Sequence, residues 1–287
     1  MDFVTREGWI SVKKVFISVD LEGMEGVVSK LQTLRSNPDF GLARKRLTLD
    51  VNAAVEGALL AGAEEIVVCD GHADMENILL DDLHPEAKLI SGAMRSSLQM
   101  QGIEGGYDAL VVFGHAGGGL TIGGVMDHTY NSMRVYNIRM NGVTVNTEAV
   151  MNGMIAGYYG VPLAVVIGDE AMVNEVKEFA PRVEGVIVKS GFSRFSALSL
   201  SPLKAREAIR EGVKKGLARA KHIEPLTLAE PIEMEIDFRD AHTADAAELV
   251  PGVKRLTPRT VSFTGDGPTV FKLQELLLFR LLDEYPF

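Results

Sequence analysis

Residues 14–20, Lys14-Val-Phe-Ile-Ser-Val-Asp20, and residues 65–70, Glu65-Ile-Val-Val-Cys-Asp70, are two short apolar runs that end in acids, with one helical stretch between them. Runs this apolar and β-rich suit strands buried on both faces. Between them, Phe40 to Ala61 places Leu47, Val51, Val55 and Leu59 at steps of four, one face of a helix, and Gly62 follows where a helix wants its C-terminal cap. Strand, long helix and strand make the βαβ unit of a parallel sheet.

Working outward, Ala87 to Ile90 and Ala109 to Gly114 read as further strands, and Met140-Asn141-Gly142 reads as the tight turn of a hairpin. The hairpin makes the expected sheet mixed. Asn146 is the expected cap of a helix running to Tyr159, and Leu163 to Ile167 is another strand. Ser201-Pro202 opens a helix to about Ala220, Ile232 to Phe238 and Arg259 to Phe263 read as strands, and a closing helix covers about Thr269 to Asp283. The expectation is an α/β fold: a mixed, mostly parallel sheet covered by helices, with a smaller C-terminal α/β portion. Its divisions are an N-terminal extension over 1–13, a metal-binding catalytic domain over 14–225 and a C-terminal portion over 226–287 that is either separate or part of the same domain.

Composition narrows the function. With 46% hydrophobic residues the 287-residue chain fills a sizeable core, and its 39 acids against 29 bases give a formal charge of -10 without a long basic run. Nucleic acid and anionic lipid are therefore not expected partners. No stretch approaches the ~20 apolar residues that span a bilayer. The single cysteine, Cys69, lies inside an apolar run, and Met1 to Lys14 lacks the apolar core of a secretory signal, so the expected compartment is the cytoplasm.

Ligands of open α/β sheets bind beyond the carboxyl ends of the strands, and there the chemistry-bearing residues gather. The first strand ends Asp20-Leu-Glu22-Gly23, whose two carboxylates point the same way if the backbone stays extended. The second ends Asp70-Gly-His72, and the strand from Ala109 ends Gly114-His115. Glu148 falls in the first turn of a helix, where such residues are common for structural reasons alone. Taken together, three acids and two histidines are a mixed N/O set of the kind that holds zinc or manganese. His128, thirteen residues after His115 in a glycine-bearing loop, is a candidate base. His84 before a strand and His222 at a basic helix end read as structural, and His242 has no partner visible in sequence.

Ser18-Val-Asp20-Leu-Glu22-Gly23, Asp70-Gly-His72, Ala109-Leu-Val-Val-Phe-Gly-His115-Ala116, Gly124-Val-Met-Asp-His128, and Glu148 with Ala156-Gly-Tyr-Tyr-Gly-Val-Pro162 resemble the bacterial zinc-dependent D-aminopeptidase family. The similarity runs from about Lys14 to the C-terminus. It implies two zinc ions per chain, with Asp20 touching both and Glu22, His72, His115 and Glu148 as the other ligands. It also implies a catalytic His128, acting as base or as nucleophile, release of N-terminal D-residues from short peptides, and a homodecamer of stacked pentamers. The loop between His115 and His128 is two residues longer than the family pattern, which bears on substrate preference. Two rivals fit the residues: a dinuclear phosphoesterase, and a metal-stabilised oligomeric binding protein without turnover.

Overall fold

The protein, described by a computed structural model, is defined over residues 12–281; nearly all of the expected N-terminal extension, and the closing helix beyond 281, lie outside the described residues. Six parallel strands form the main sheet: β1 (Lys14–Val19), β2 (Glu65–Asp70), β3 (Ala87–Ile90), β4 (Ala109–His115), β7 (Leu163–Asp169) and β8 (Glu184–Ser193). An antiparallel seventh, β9 (Ser196–Ser199), completes the order β3-β2-β1-β4-β7-β8-β9. Strands β4 and β7 are buried at all seven positions, as parallel strands covered on both faces must be.

Alternation along β1 shows how the two faces are filled. Ile17 joins the side covered by α1 (Asp39–Leu60) and α4 (Pro202–Leu217), with Leu47, Val51, Ile209 and Val213. Phe16 joins the opposite side, with Val112 of β4 and Val150 of α2 (Glu148–Tyr158). On that side α3 (Glu170–Phe179) also packs, as does a second, antiparallel sheet of order β11-β12-β10-β5-β6. Its strands are β5 (Val135–Met140), β6 (Val143–Thr144), β10 (Ile232–Phe238), β11 (Lys254–Thr257) and β12 (Thr260–Gly265), with α5 (Ala241–Glu248) and α6 (Gly267–Glu275) against it. No helix among the described residues is long and apolar enough to cross a membrane.

The fold class is the expected one, with specific differences. The hairpin turn is real, since Asn141 (φ 48°) and Gly142 (φ 78°) both take the left-handed region. Its strands, however, do not join the parallel sheet. They pair with β10, where Arg139 of β5 bonds Glu235 and Asp237 across the sheet. Stretches on either side of residue 225 therefore share one sheet. The cap of α2 is Thr147, one residue later than expected, because the Asn146 side chain accepts from the Ile138 amide at 3.1 Å and Thr147 Oγ1 serves Ala149. The closing helix starts earlier, where Asp266 accepts from the Thr269 amide at 2.9 Å, and passes into a π-type turn over 276–280.

One polar lock crosses the α1–α4 layer. Glu25, in the loop after β1, and Asp50 of α1 are both buried, and Arg206 of α4 donates to Asp50 Oδ1 at 2.7 Å. Burial, with the charge of Asp50 beside it, pushes Glu25 up to about 8, so at neutral pH it keeps its proton and donates to Asp50. Burial also lifts Asp50, against the pull of Arg206, to about 6.

Candidate metal centre

Strand β1 lies between β2 and β4, so the carboxyl ends of these three neighbours meet at one point of the sheet. Asp20 follows β1 directly, His72 comes two residues after β2, and His115 closes β4. The chain makes an unusually close pass here. A Cβ on Gly114 (φ 76°) would lie 2.1 Å from the Asp20 carbonyl, and one on Gly23 would lie 2.1 Å from the His115 carbonyl. Only glycines let the two strand ends draw together, with Gly23 N donating to Gly114 O at 2.5 Å.

Asp20 and Glu22 do converge, though not through extended backbone. The chain leaves the strand at Asp20 and turns, with Met24 N donating to Leu21 O at 3.2 Å, and this turn brings Glu22 beside Asp20. His72 Nδ1 stands 3.0 Å from Asp20 Oδ1 and 2.9 Å from Glu22 Oε2. His115 Nδ1 stands 3.3 Å from Asp20 Oδ2 and 3.2 Å from Glu148 Oε2. The result is two adjoining buried sets, Asp20/Glu22/His72 and Asp20/His115/Glu148, each with its ligand atoms within 4.8 Å of one another. Asp20 belongs to both.

The donor atoms fit a bound cation. His72 Nε2 is 3.0 Å from the Thr33 carbonyl, which can only accept, so Nε2 carries a proton and a neutral ring turns its Nδ1 lone pair toward two carboxylates. That arrangement needs either a second proton or a metal ion. Glu22 Oε2 is buried without a hydrogen bond despite its closeness to His72, as an oxygen aimed at an ion would be. Without metal, protons take that place. Burial opposes charge on His115, yet hydrogen bonds to Asp20 and Glu148 raise it to about 9; His72 is likewise held well above its usual value, against burial, by Glu22 and Asp20. Burial would raise Asp20, but its bonds to His115 and His72 win and hold it well below the usual carboxylate range.

His128 stands beside the sets without joining them. Its Nδ1 lies 2.8 Å from the Met126 carbonyl and its Nε2 3.7 Å from Glu148 Oε1. Since the carbonyl accepts, Nδ1 holds the proton and the Nε2 lone pair faces the cleft. Burial disfavours its charged form, while Glu22, Glu148 and Asp20 outweigh that and raise its pKa.

Residues that no sequence motif marks also hold the centre. Gln99 Nε2 donates to Glu148 Oε2 at 2.5 Å, and Tyr130 N donates to Glu148 Oε1 at 2.8 Å, fixing that carboxylate. Asn152, one turn along α2 from Glu148, donates to Gln99 Oε1 at 3.0 Å; its i+4 spacing was the signal available. Lys189, buried on β8 and lowered to about 8 by burial, donates to the carbonyls of Glu22 and Val27 and secures the loop that carries Glu22. His84, His222 and His242 do not line the cleft, a cavity of about 480 Å³ over the centre. Its walls include Leu98, Met126, Tyr130, Phe195 and Phe279.

Fold and site together define an α/β protein whose paired carboxylate–imidazole sets sit at the carboxyl ends of a parallel sheet, the arrangement of a metallohydrolase. A family model described as D-aminopeptidase matches residues 13–276. The D-aminopeptidase of Bacillus subtilis (strain 168) is 30% identical over 250 residues, covering 86% of this chain and 89% of the relative. The solved structure of the Zn-dependent D-aminopeptidase DppA from Bacillus subtilis, described as a self-compartmentalizing protease, superposes with a TM-score of 0.91 at 29% identity. That match covers 96% of this chain and 99% of the other. The chain belongs to the D-aminopeptidase family and is accordingly an aminopeptidase-type hydrolase.

Proposed function

We propose that this chain is a dinuclear zinc aminopeptidase that removes N-terminal D-residues from short peptides in the cytoplasm, working as a homodecamer. The observation that carries the reading is the sharing of Asp20 by two buried ligand sets. A carboxylate shared in this way can bridge two ions. Glu22 and His72 complete one zinc site, His115 and Glu148 the other. Bound there, the zincs would polarise the scissile carbonyl and acidify a water.

The chain's own groups do the rest. The backbone amide of Tyr130 and the Gln99 amide keep Glu148 in place, so that His128 Nε2 keeps its position over the cleft. As water adds to the carbonyl carbon, Nε2 takes its proton; it then returns the proton to the leaving amine as the C–N bond breaks. The products are a free amino acid and the shortened peptide. The apolar walls exclude bulk water and receive the substrate's side chains.

A panel of D- and L-aminoacyl amides, short peptides and a phosphodiester, run with zinc-loaded protein, tests the reading. Hydrolysis of the D-substrates alone is the expected result. Turnover of the phosphodiester, or of nothing, would count against it. In parallel, metal analysis of protein purified without chelator should find two zincs per chain, and one ion that stays at one in excess zinc would remove the dinuclear claim.

A further inference from the structure

The acids of the cleft are spoken for. Asp20, Glu22 and Glu148 form the ligand sets, and Asp74 at the edge lies 3.8 Å from Arg35. The cations are placed differently. Lys30, exposed on the loop that follows β1, reaches across the cleft to within 3.5 Å of Ser132 Oγ; Arg194, at the tip of the β8–β9 hairpin, bonds the Asp127 carboxylate and carbonyl at 2.9 Å. Ser132 and Asp127 bracket His128 in the chain. Two positive groups therefore flank the proposed proton acceptor, on a chain whose net charge is -10.

Neither cation has spent its donors. An ammonium offers three, and among the described residues Lys30 makes that one long bond and no ion pair. Arg194 uses Nε and Nη2 on Asp127, leaving Nη1 without a partner among the described residues. The same cleft carries Arg280, which pairs with Glu275 at 2.8 Å, so an anionic group arriving here would find Lys30 and Arg194 as the cations with donors left to give.

We infer that Lys30 and Arg194 form the subsite for the free α-carboxylate of a dipeptide substrate, an inference that rests on the aminopeptidase reading of this centre. What carries it is the placement of both cations on the wall of the cleft over the centre. A residue spans roughly 3.3–3.6 Å, so the terminal carboxylate of a dipeptide lies one residue beyond the scissile bond, within the cleft that Lys30 and Arg194 border. Charge-assisted bonds at that distance favour peptides with an unblocked C-terminus and disfavour longer chains, whose carboxylate would lie past the cations.

The test compares D-alanyl-D-alanine with its C-terminal amide, using the zinc-loaded full chain. The free acid is expected to have a kcat/KM at least about tenfold higher, as a lost charged hydrogen bond implies. Lys30→Met should erase the difference by raising KM for the acid alone, and Lys30→Arg should restore it. Equal kcat/KM for the two in the native protein, or an equal fall for both in Lys30→Met, overturns the subsite. Calorimetric binding of the same acid and amide to zinc-loaded His128→Ala protein decides the matter without turnover: tighter binding of the acid supports the subsite, and equal or absent binding overturns it. Preferred binding of the acid with no hydrolysis of either by the native protein would sink the aminopeptidase reading and leave the subsite standing.

Discussion

At His128 the catalytic and structural readings separate. The ring lies 3.7 Å from Glu148 and outside both ligand sets, so its removal leaves Asp20, Glu22, His72, His115 and Glu148 in place. His128→Ala is therefore expected to keep its zinc and assembly while kcat on a D-aminoacyl amide falls by about 10² to 10⁴, the contribution of a positioned base. Kinetics beside metal analysis check this, and a near-normal kcat in fully metallated protein would remove His128 from the mechanism. Asp20, His72 and His115 were legible in the sequence because each sits where an apolar run stops, whereas Glu148 stood out only through the family resemblance and Glu22 joins the set through a turn that a reading of alternation does not foresee. Gln99 and Lys30 were not legible. They come from irregular segments joined to the centre only by tertiary packing, which leaves no periodicity to read.

Elements explain what the sequence showed and what it hid. The parallel strands were plain because burial on both faces leaves unbroken apolar runs, whereas α3 starts directly from the end of β7 with Asp169 as its cap and has no loop to announce it. Strands β8 and β9 are partly exposed and mixed in composition, so they gave no clean pattern. The lock among Glu25, Asp50 and Arg206 ties the ligand-bearing loop to α1 and α4 and makes the layer sensitive to pH. A carboxyl whose folded pKa is raised stabilises the fold fully below its unfolded value, and that stability is lost as pH rises through the folded one. For Glu25 the window runs from its ordinary 4.5 to about 8. Glu25→Gln keeps the donor and cannot ionise, so its melting temperature relative to the native chain should climb between pH 6 and pH 8.5. Thermal unfolding of both proteins at the two pH values gives the answer; a constant difference would show that Glu25 does not hold its proton.

At the scale of the molecule, the open question is what covers its apolar surface. The main sheet ends in β9, an edge strand, and edges left bare invite pairing. Phe192 (76% exposed) and Leu198 (66%) lie on the β8–β9 hairpin and Leu203 (78%) at the start of α4, three large apolar side chains left in solvent at this end of the sheet. The solved relative is described as self-compartmentalizing, and an assembly of copies needs contact faces of that kind. We therefore expect the native protein to scatter light as a large multiple of 31.1 kDa and the double variant Phe192→Asp, Leu203→Asp to fall to a small species. Leu249→Asp, on an equally exposed leucine at the end of α5, is the control and should leave the mass unchanged. The double variant should retain its zinc and its far-ultraviolet spectrum, because neither side chain reaches the core or the ligand sets. A native mass near that of one chain would end the oligomer proposal, and an intact assembly in the double variant would move the contact face elsewhere on the surface.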